Sequence, residues 1–123
     1  MEKILIVEDD IAFGTMIQTW LKKKGFDVER VTSVGAAIKA MGAGDAFHLV
    51  LSDLRLPDGN GIDLLRWMRK EGRMQPFVIM TDYAEVHTAV ESMKLGSLDY
   101  IPKQLVEDKL VPLLRTILKE RHT

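Results

Sequence analysis

The chain contains no cysteine, which excludes disulfides, thiolate-bound metals and a cysteine nucleophile. It has little excess of either charge. Seventeen basic and 18 acidic side chains leave a formal net charge of -1, so electrostatics point to neither nucleic acid nor a membrane as a direct partner. Long apolar runs are missing too. The N-terminal run Ile4–Val7 is too short for a signal-peptide core, and no stretch reaches transmembrane length. Low-complexity segments, internal repeats and linker-like stretches are also lacking. The 123 residues are therefore expected to form one compact domain spanning 1–123, soluble and cytoplasmic, with enough apolar side chains (46%) for a real core.

What is present is a regular alternation of strand and helix patterns. Ile4–Val7 reads as a buried strand. Ile11–Lys24 reads as a helix with Phe13, Met16, Ile17, Trp20 and Leu21 on one face, and with Gly25 as its C-cap after three lysines. Phe26–Val31 is predicted to be the second strand, and Ser33 caps a second helix ending near Met41. His48–Ser52 is the third strand, Ile62–Lys70 the third helix and Phe77–Met80 the fourth strand. Ala84–Leu95 is the fourth helix, Leu98–Ile101 the fifth strand, and a last helix fills the C-terminus. Pro112 falls within that last segment, where its missing N–H predicts either a late start or a kink. Five strands alternating with five helices predict an α/β, doubly wound (βα)5 flavodoxin-like fold, with a parallel sheet in the order 2-1-3-4-5.

Three acidic residues, Glu8, Asp9 and Asp10, follow the first strand directly. Asp10 suits the N-cap of the first helix. Glu8 and Asp9 lie where open α/β sheets place their sites. Packed carboxylates repel one another unless a cation relieves them, and oxygen donors suit a hard divalent metal, most simply Mg2+. In the predicted topology the ends of strands three, four and five reach the same edge, bringing Asp53, Thr81 and Lys103 to it. That set suits phosphoryl transfer to a carboxylate. Asp53 is the nucleophile, a magnesium ion held by Asp9, Asp53 and a nearby backbone carbonyl neutralises the phosphoryl oxygens, Lys103 pairs with them and Thr81 donates its hydroxyl.

The segments Ile4–Asp10, Leu51–Gly61, Val78–Thr81 and Gly96–Lys103 together resemble the receiver domains of two-component response regulators, over essentially the whole chain. The resemblance implies that Asp53 accepts phosphate from a sensor histidine kinase or phosphotransfer protein. It also implies that Glu8 reaches the metal through water, that the Arg55 backbone carbonyl is a further ligand, and that Tyr100 is the aromatic switch that turns inward with Thr81. The segment Thr88–Gly96 resembles receivers of nitrogen-regulator (NtrC) type activators. A parent chain continuing past Thr123 into ATPase and DNA-binding output domains is expected from this. The expected output face is helix four, strand five and helix five, carrying Lys94, Tyr100, Lys103 and Lys109, with self-association through that face.

Two positions depart from the family pattern. Asp82 stands where a small residue usually follows the threonine, adding repulsion and bulk beside Asp53. Gln104 stands where proline usually follows the lysine, and a cis bond before a non-proline residue costs about 3 kcal/mol, so a trans bond, or a strained cis one, is expected. Arg55 and Tyr83 are expected to flank the phosphoryl group, with Tyr83 screening it from water. Three other readings compete. One is a degenerate receiver that acts only as a protein-binding module. Another is a haloacid-dehalogenase-like phosphatase, whose nucleophile position here holds Glu8. A flavodoxin is the third, but the acidic first loop is a poor phosphate cradle. His48, His87 and His122 share no metal-site spacing and read as strand, helix-surface and tail residues.

Overall fold

The computed structural model describes residues 2–44 and 46–122, with side chains of the last helix described as far as Ile117. Strands β1 (Lys3–Val7), β2 (Asp27–Val31), β3 (Leu49–Asp53), β4 (Phe77–Thr81) and β5 (Asp99–Pro102) form one parallel sheet in the order β2-β1-β3-β4-β5. Helices α1 (Ile11–Lys23), α2 (Val34–Gly42), α3 (Gly61–Lys70), α4 (Val86–Lys94) and α5 (Val106–His122) connect the strands or close the chain. A single 3-10 turn, Lys103–Leu105, precedes α5, and a two-residue ribbon pairs Arg55–Leu56 with Gly59–Asn60 after β3. The predicted fold class and strand order are those observed.

Both faces of the sheet are covered, which is why its inner strands carry continuous apolar runs, Ile4–Val7, Leu49–Leu51 and Phe77–Met80, rather than alternating ones. Ile4, Ile6, Leu49, Leu51, Val78 and Met80 pack with Ile17 and Leu21 of α1 and Leu110 and Leu114 of α5. Leu5, Val7, Val50, Phe77 and Ile79 pack on the other side with α2 and α3. Two side-chain caps start helices as expected: Asp10 accepts from the Phe13 amide at 3.0 Å and Ser33 from the Ala36 amide at 3.0 Å. An Asn60/Asp63 capping box starts α3.

Several sequence expectations shift. The first helix ends at Lys23 with Lys24 as its C-cap, and Gly25 is the residue beyond, at φ +96. Its amide bonds the Lys22 carbonyl while Phe26 bonds Leu21, a Schellman closure that needs the left-handed conformation glycine allows. The buried face of α1 is Gly14, Ile17 and Leu21. Phe13 and Trp20 flank it half-buried, and Met16 points largely to solvent. The second, third and fifth strands begin one residue later than predicted, and Asp53, Thr81 and Pro102 belong to the strand ends. Pro112 does not delay α5: the helix starts at Val106 and runs through it.

Helix α4 is shorter than predicted and unevenly held. Ser92 is its one buried residue among those described, and its N-cap, Glu85, makes no side-chain cap bond. Its other end is pinned from α3. The Arg69 guanidinium donates to the carbonyls of Leu95 (3.1 Å) and Gly96 (3.2 Å), and also to Arg73 and Gln75 in the loop before β4. An element anchored at one end and thinly buried at the other is suited to local movement.

Candidate phosphoacceptor site

The C-terminal ends of β1, β3 and β4 and the turn after β5 bring Glu8, Asp9, Asp53, Thr81 and Lys103 to one edge. Backbone contacts fix the carboxylates. The Glu8 amide bonds the Val31 carbonyl on β2, and the Leu54 amide bonds Met80 on β4. Gly61 at the start of α3 lies so close that a Cβ there would meet the Asp53 carbonyl oxygen at 2.6 Å. Only a residue without a side chain fits against this carbonyl, whose oxygen also accepts the Ser52 hydroxyl at 2.9 Å.

Lys103 is the electrostatic centre of the pocket. Its Nζ donates to Asp53 Oδ2 at 3.2 Å, lies 2.8 Å from Glu8 Oε1 and 3.7 Å from Asp82 Oδ2, and sits 4.7 Å from the centre of the Phe13 ring. Burial by itself would lower its pKa, but the bond to Glu8 and the charges of Asp53 and Glu8 outweigh that and raise it, so the ammonium stays charged. Glu8 is fully buried, and that burial pushes its carboxyl up to about 7 against the ordinary 4.5, with Lys103 and the Asp10 amide pulling the other way. Its Oε2 accepts the Asp10 amide at 3.1 Å. Its other oxygen, Oε1, faces the Lys103 ammonium at 2.8 Å.

Carboxylate oxygens of Glu8, Asp9 and Asp53 lie within 4.8 Å of one another, a donor set able to hold a metal ion. Three clustered carboxylates are hard oxygen donors, and they fit a small divalent cation with retained waters.

Thr81 is buried at the end of β4, and its hydroxyl is turned to its own loop. It accepts from the Tyr83 amide at 3.1 Å and donates to the Tyr83 carbonyl at 3.3 Å. The Tyr100 hydroxyl is held by α4, 2.6 Å from Thr88 Oγ1, and accepts the Glu85 amide at 3.4 Å. The Arg55 side chain leaves the pocket and pairs with Glu85 at 3.7 Å. Tyr83 is exposed (68%).

Two expectations about Lys103 resolve here. All described peptide bonds are trans, including Lys103–Gln104, and the side chain still reaches Asp53. Lys103 therefore does not belong to the output face, because its side chain is buried among carboxylates. The sequence reading missed Phe13 as the wall of the lysine channel and Thr88 as the partner of Tyr100. It also missed Asp58, whose carboxylate receives the Val34 and Gly35 amides at 2.8 and 2.9 Å and is held below its usual range chiefly by the Gly35 bond. Asp58-Gly59 has the composition of a turn, and nothing local marks it as the clasp between the β3 loop and α2. His48 precedes β3, accepting the Lys3 amide on Nδ1, and His87 lies on α4, 3.4 Å from Glu85. The side chain of His122 lies outside the described residues.

This site on this sheet defines a receiver: a response regulator receiver domain profile matches residues 4–115. The chain belongs to that family. It is 37% identical over 120 residues to the transcriptional regulatory protein ZraR of Escherichia coli strain K12, covering 98% of this chain and 27% of that protein. It is 32% identical to the transcriptional regulatory protein FixJ of Bradyrhizobium diazoefficiens, covering 95% of this chain and 57% of that protein. The non-phosphorylated HemR receiver domain of Leptospira biflexa superposes with a TM-score of 0.84 at 34% identity, covering 95% of this chain and 94% of that one. The chain thus spans between about a quarter and about half of the curated relatives it matches. Among the described residues no helix is long and apolar enough to cross a membrane.

Proposed function

We propose that this domain is a phospho-accepting switch whose acceptor is Asp53. The observation that carries the reading is the Lys103 ammonium, buried and bonded to Asp53 with Glu8 beside it. Such a cation steadies negative charge where a phosphoryl group would arrive. An Asp53 carboxylate oxygen forms the new bond to phosphorus as the phosphorus–nitrogen bond of a donor phosphohistidine breaks, and the leaving imidazole takes up a proton from solvent. Lys103 stays charged and moves with the phosphoryl oxygens. Thr81 gives up the Tyr83 carbonyl to donate to one of them. Glu8, Asp9, Asp53 and the Arg55 carbonyl would hold Mg2+, with Glu8 acting through water. Bound there, the ion supplies positive charge against the phosphoryl oxygens.

The switch is a population shift. Turning Tyr100 inward breaks its bond to Thr88 and releases the thinly buried start of α4. Val86, Val90 and Met93 are exposed at helical spacing on that element and supply an apolar stripe for an output domain or a second copy, through α4, β5 and α5. Similarity to full-length transcriptional regulators such as ZraR supports an NtrC-type parent with ATPase and DNA-binding domains acting in the cytoplasm, this domain itself touching neither nucleic acid nor membrane. The test is intact mass after incubation with acetyl phosphate and magnesium. One phosphoryl adduct on the wild type and none on Asp53→Asn is expected. An adduct surviving the substitution refutes Asp53 as acceptor, and a wild type that never acquires one, even from a phosphorylated histidine kinase, leaves a phosphorylation-independent binding module.

A further inference from the structure

Among the described residues, Asp82 is the one carboxylate paired with Lys103 that neither the acceptor chemistry nor the metal set uses. It follows Thr81 directly, its side chain is 60% exposed at the mouth, and its Oδ2 lies 3.7 Å from Lys103 Nζ. That cation is already shared with Glu8 and Asp53 at 2.8 and 3.2 Å. The neighbouring cation, Arg55, is turned to Glu85 at 3.7 Å. Asp82 therefore adds a negative charge at the entrance that no cation of its own offsets. Every free phosphodonor is an anion and must pass it.

We propose that Asp82 is a donor-discriminating residue. Its charge slows phosphoryl transfer from free anionic donors, more steeply the greater the donor's own charge. A phosphohistidine carried on a protein is much less affected, since contacts elsewhere on the two surfaces supply the binding energy and the approach is no longer a free anion's encounter. This inference rests on Asp53 being the acceptor. It assigns the effect to charge and not to the bulk of the side chain, and the two make different predictions. A steric block is relieved by alanine and retained by asparagine, which has nearly the size of aspartate. A charge barrier is relieved by both. It also weakens with salt, because an exposed group is screened, and its logarithm scales linearly with the charge of the incoming ion.

The test compares rates of adduct formation on wild type, Asp82→Asn and Asp82→Ala at saturating magnesium. Acetyl phosphate is the dianionic donor and phosphoramidate the donor of lower net charge at neutral pH. At low ionic strength both substitutions are expected to speed acetyl phosphate roughly tenfold and phosphoramidate roughly threefold. Near molar salt, where the screening length is about 3 Å, most of both gains is expected to vanish. Acceleration by alanine alone, equal gains for the two donors, or gains indifferent to salt would each overturn the charge assignment. The double variant Asp53→Asn/Asp82→Asn separates the two readings. It should form no adduct, and an adduct on it would remove the acceptor assignment and the gate with it. If no single variant and no donor gives an adduct, both fall together.

Discussion

Replacing Lys103 with methionine is expected to slow phosphoryl transfer to Asp53 by roughly a hundredfold or more, the usual loss when a preorganised charge donor is removed from an enclosed site. The same substitution is expected to tighten magnesium binding roughly tenfold, because it removes a cation that competes for the same carboxylates. The opposite signs make the pair informative. Methionine retains the length of the apolar stem, while Nζ, 3.2 Å from Asp53, 2.8 Å from Glu8 and 4.7 Å from the centre of the Phe13 ring, is lost. Adduct formation followed by mass gives the rate, and titration calorimetry gives the metal affinity. If both transfer and metal binding collapse together, Lys103 is holding the pocket's shape and its charge is not what matters.

The second large effect concerns Glu8 and pH. Its carboxyl is raised to about 7 from an ordinary 4.5, mainly by burial. Below the ordinary value it is protonated in both folded and unfolded chains, and the folded state bears no penalty. Between the two values the unfolded chain releases a proton that the folded chain keeps, so stability falls as pH rises and levels off above about 7. At about 1.4 kcal/mol for each pH unit separating the two values, the loss across that window is about 3 kcal/mol. Denaturant unfolding of the metal-free domain is expected to show that fall between about pH 5 and about pH 8, and Glu8→Gln is expected to abolish it. Asp58, held below its usual range by its bonds to the α2 amides, acts with the opposite sign and at lower pH, where its contribution is lost on acidification, so the two windows separate. An unchanged slope in Glu8→Gln would place the titration elsewhere.

The sheet was readable because burial on both faces leaves a plain mark. Ile4–Val7 and Phe77–Met80 are continuous apolar runs, and the polar residues that end them fall at one edge by topology alone. Where Lys103 points was not readable. Its path depends on the trans bond to Gln104 and on the Phe13 ring, which comes from a helix near the other end of the chain. Propensity alone starts α4 two residues early, because Ala84 and Glu85 are good helix formers. In the fold they belong to the loop that Thr81 closes through its bonds to Tyr83. That local turn, with the tertiary bond from the Glu85 amide to the Tyr100 hydroxyl, overrides propensity there. The hold of Thr88 on Tyr100 is likewise a contact between α4 and β5 that neither segment announces.

The phosphoryl group is expected to reside on Asp53. Borohydride reduces an acyl phosphate to the corresponding alcohol, so treating the acetyl phosphate-labelled domain and mapping its peptides locates the group chemically. A single reduced residue is expected, at position 53, appearing only when magnesium and donor are both present. Reduction at Glu8, Asp9 or Asp82, or a phosphorylated protein that resists borohydride, would contradict it.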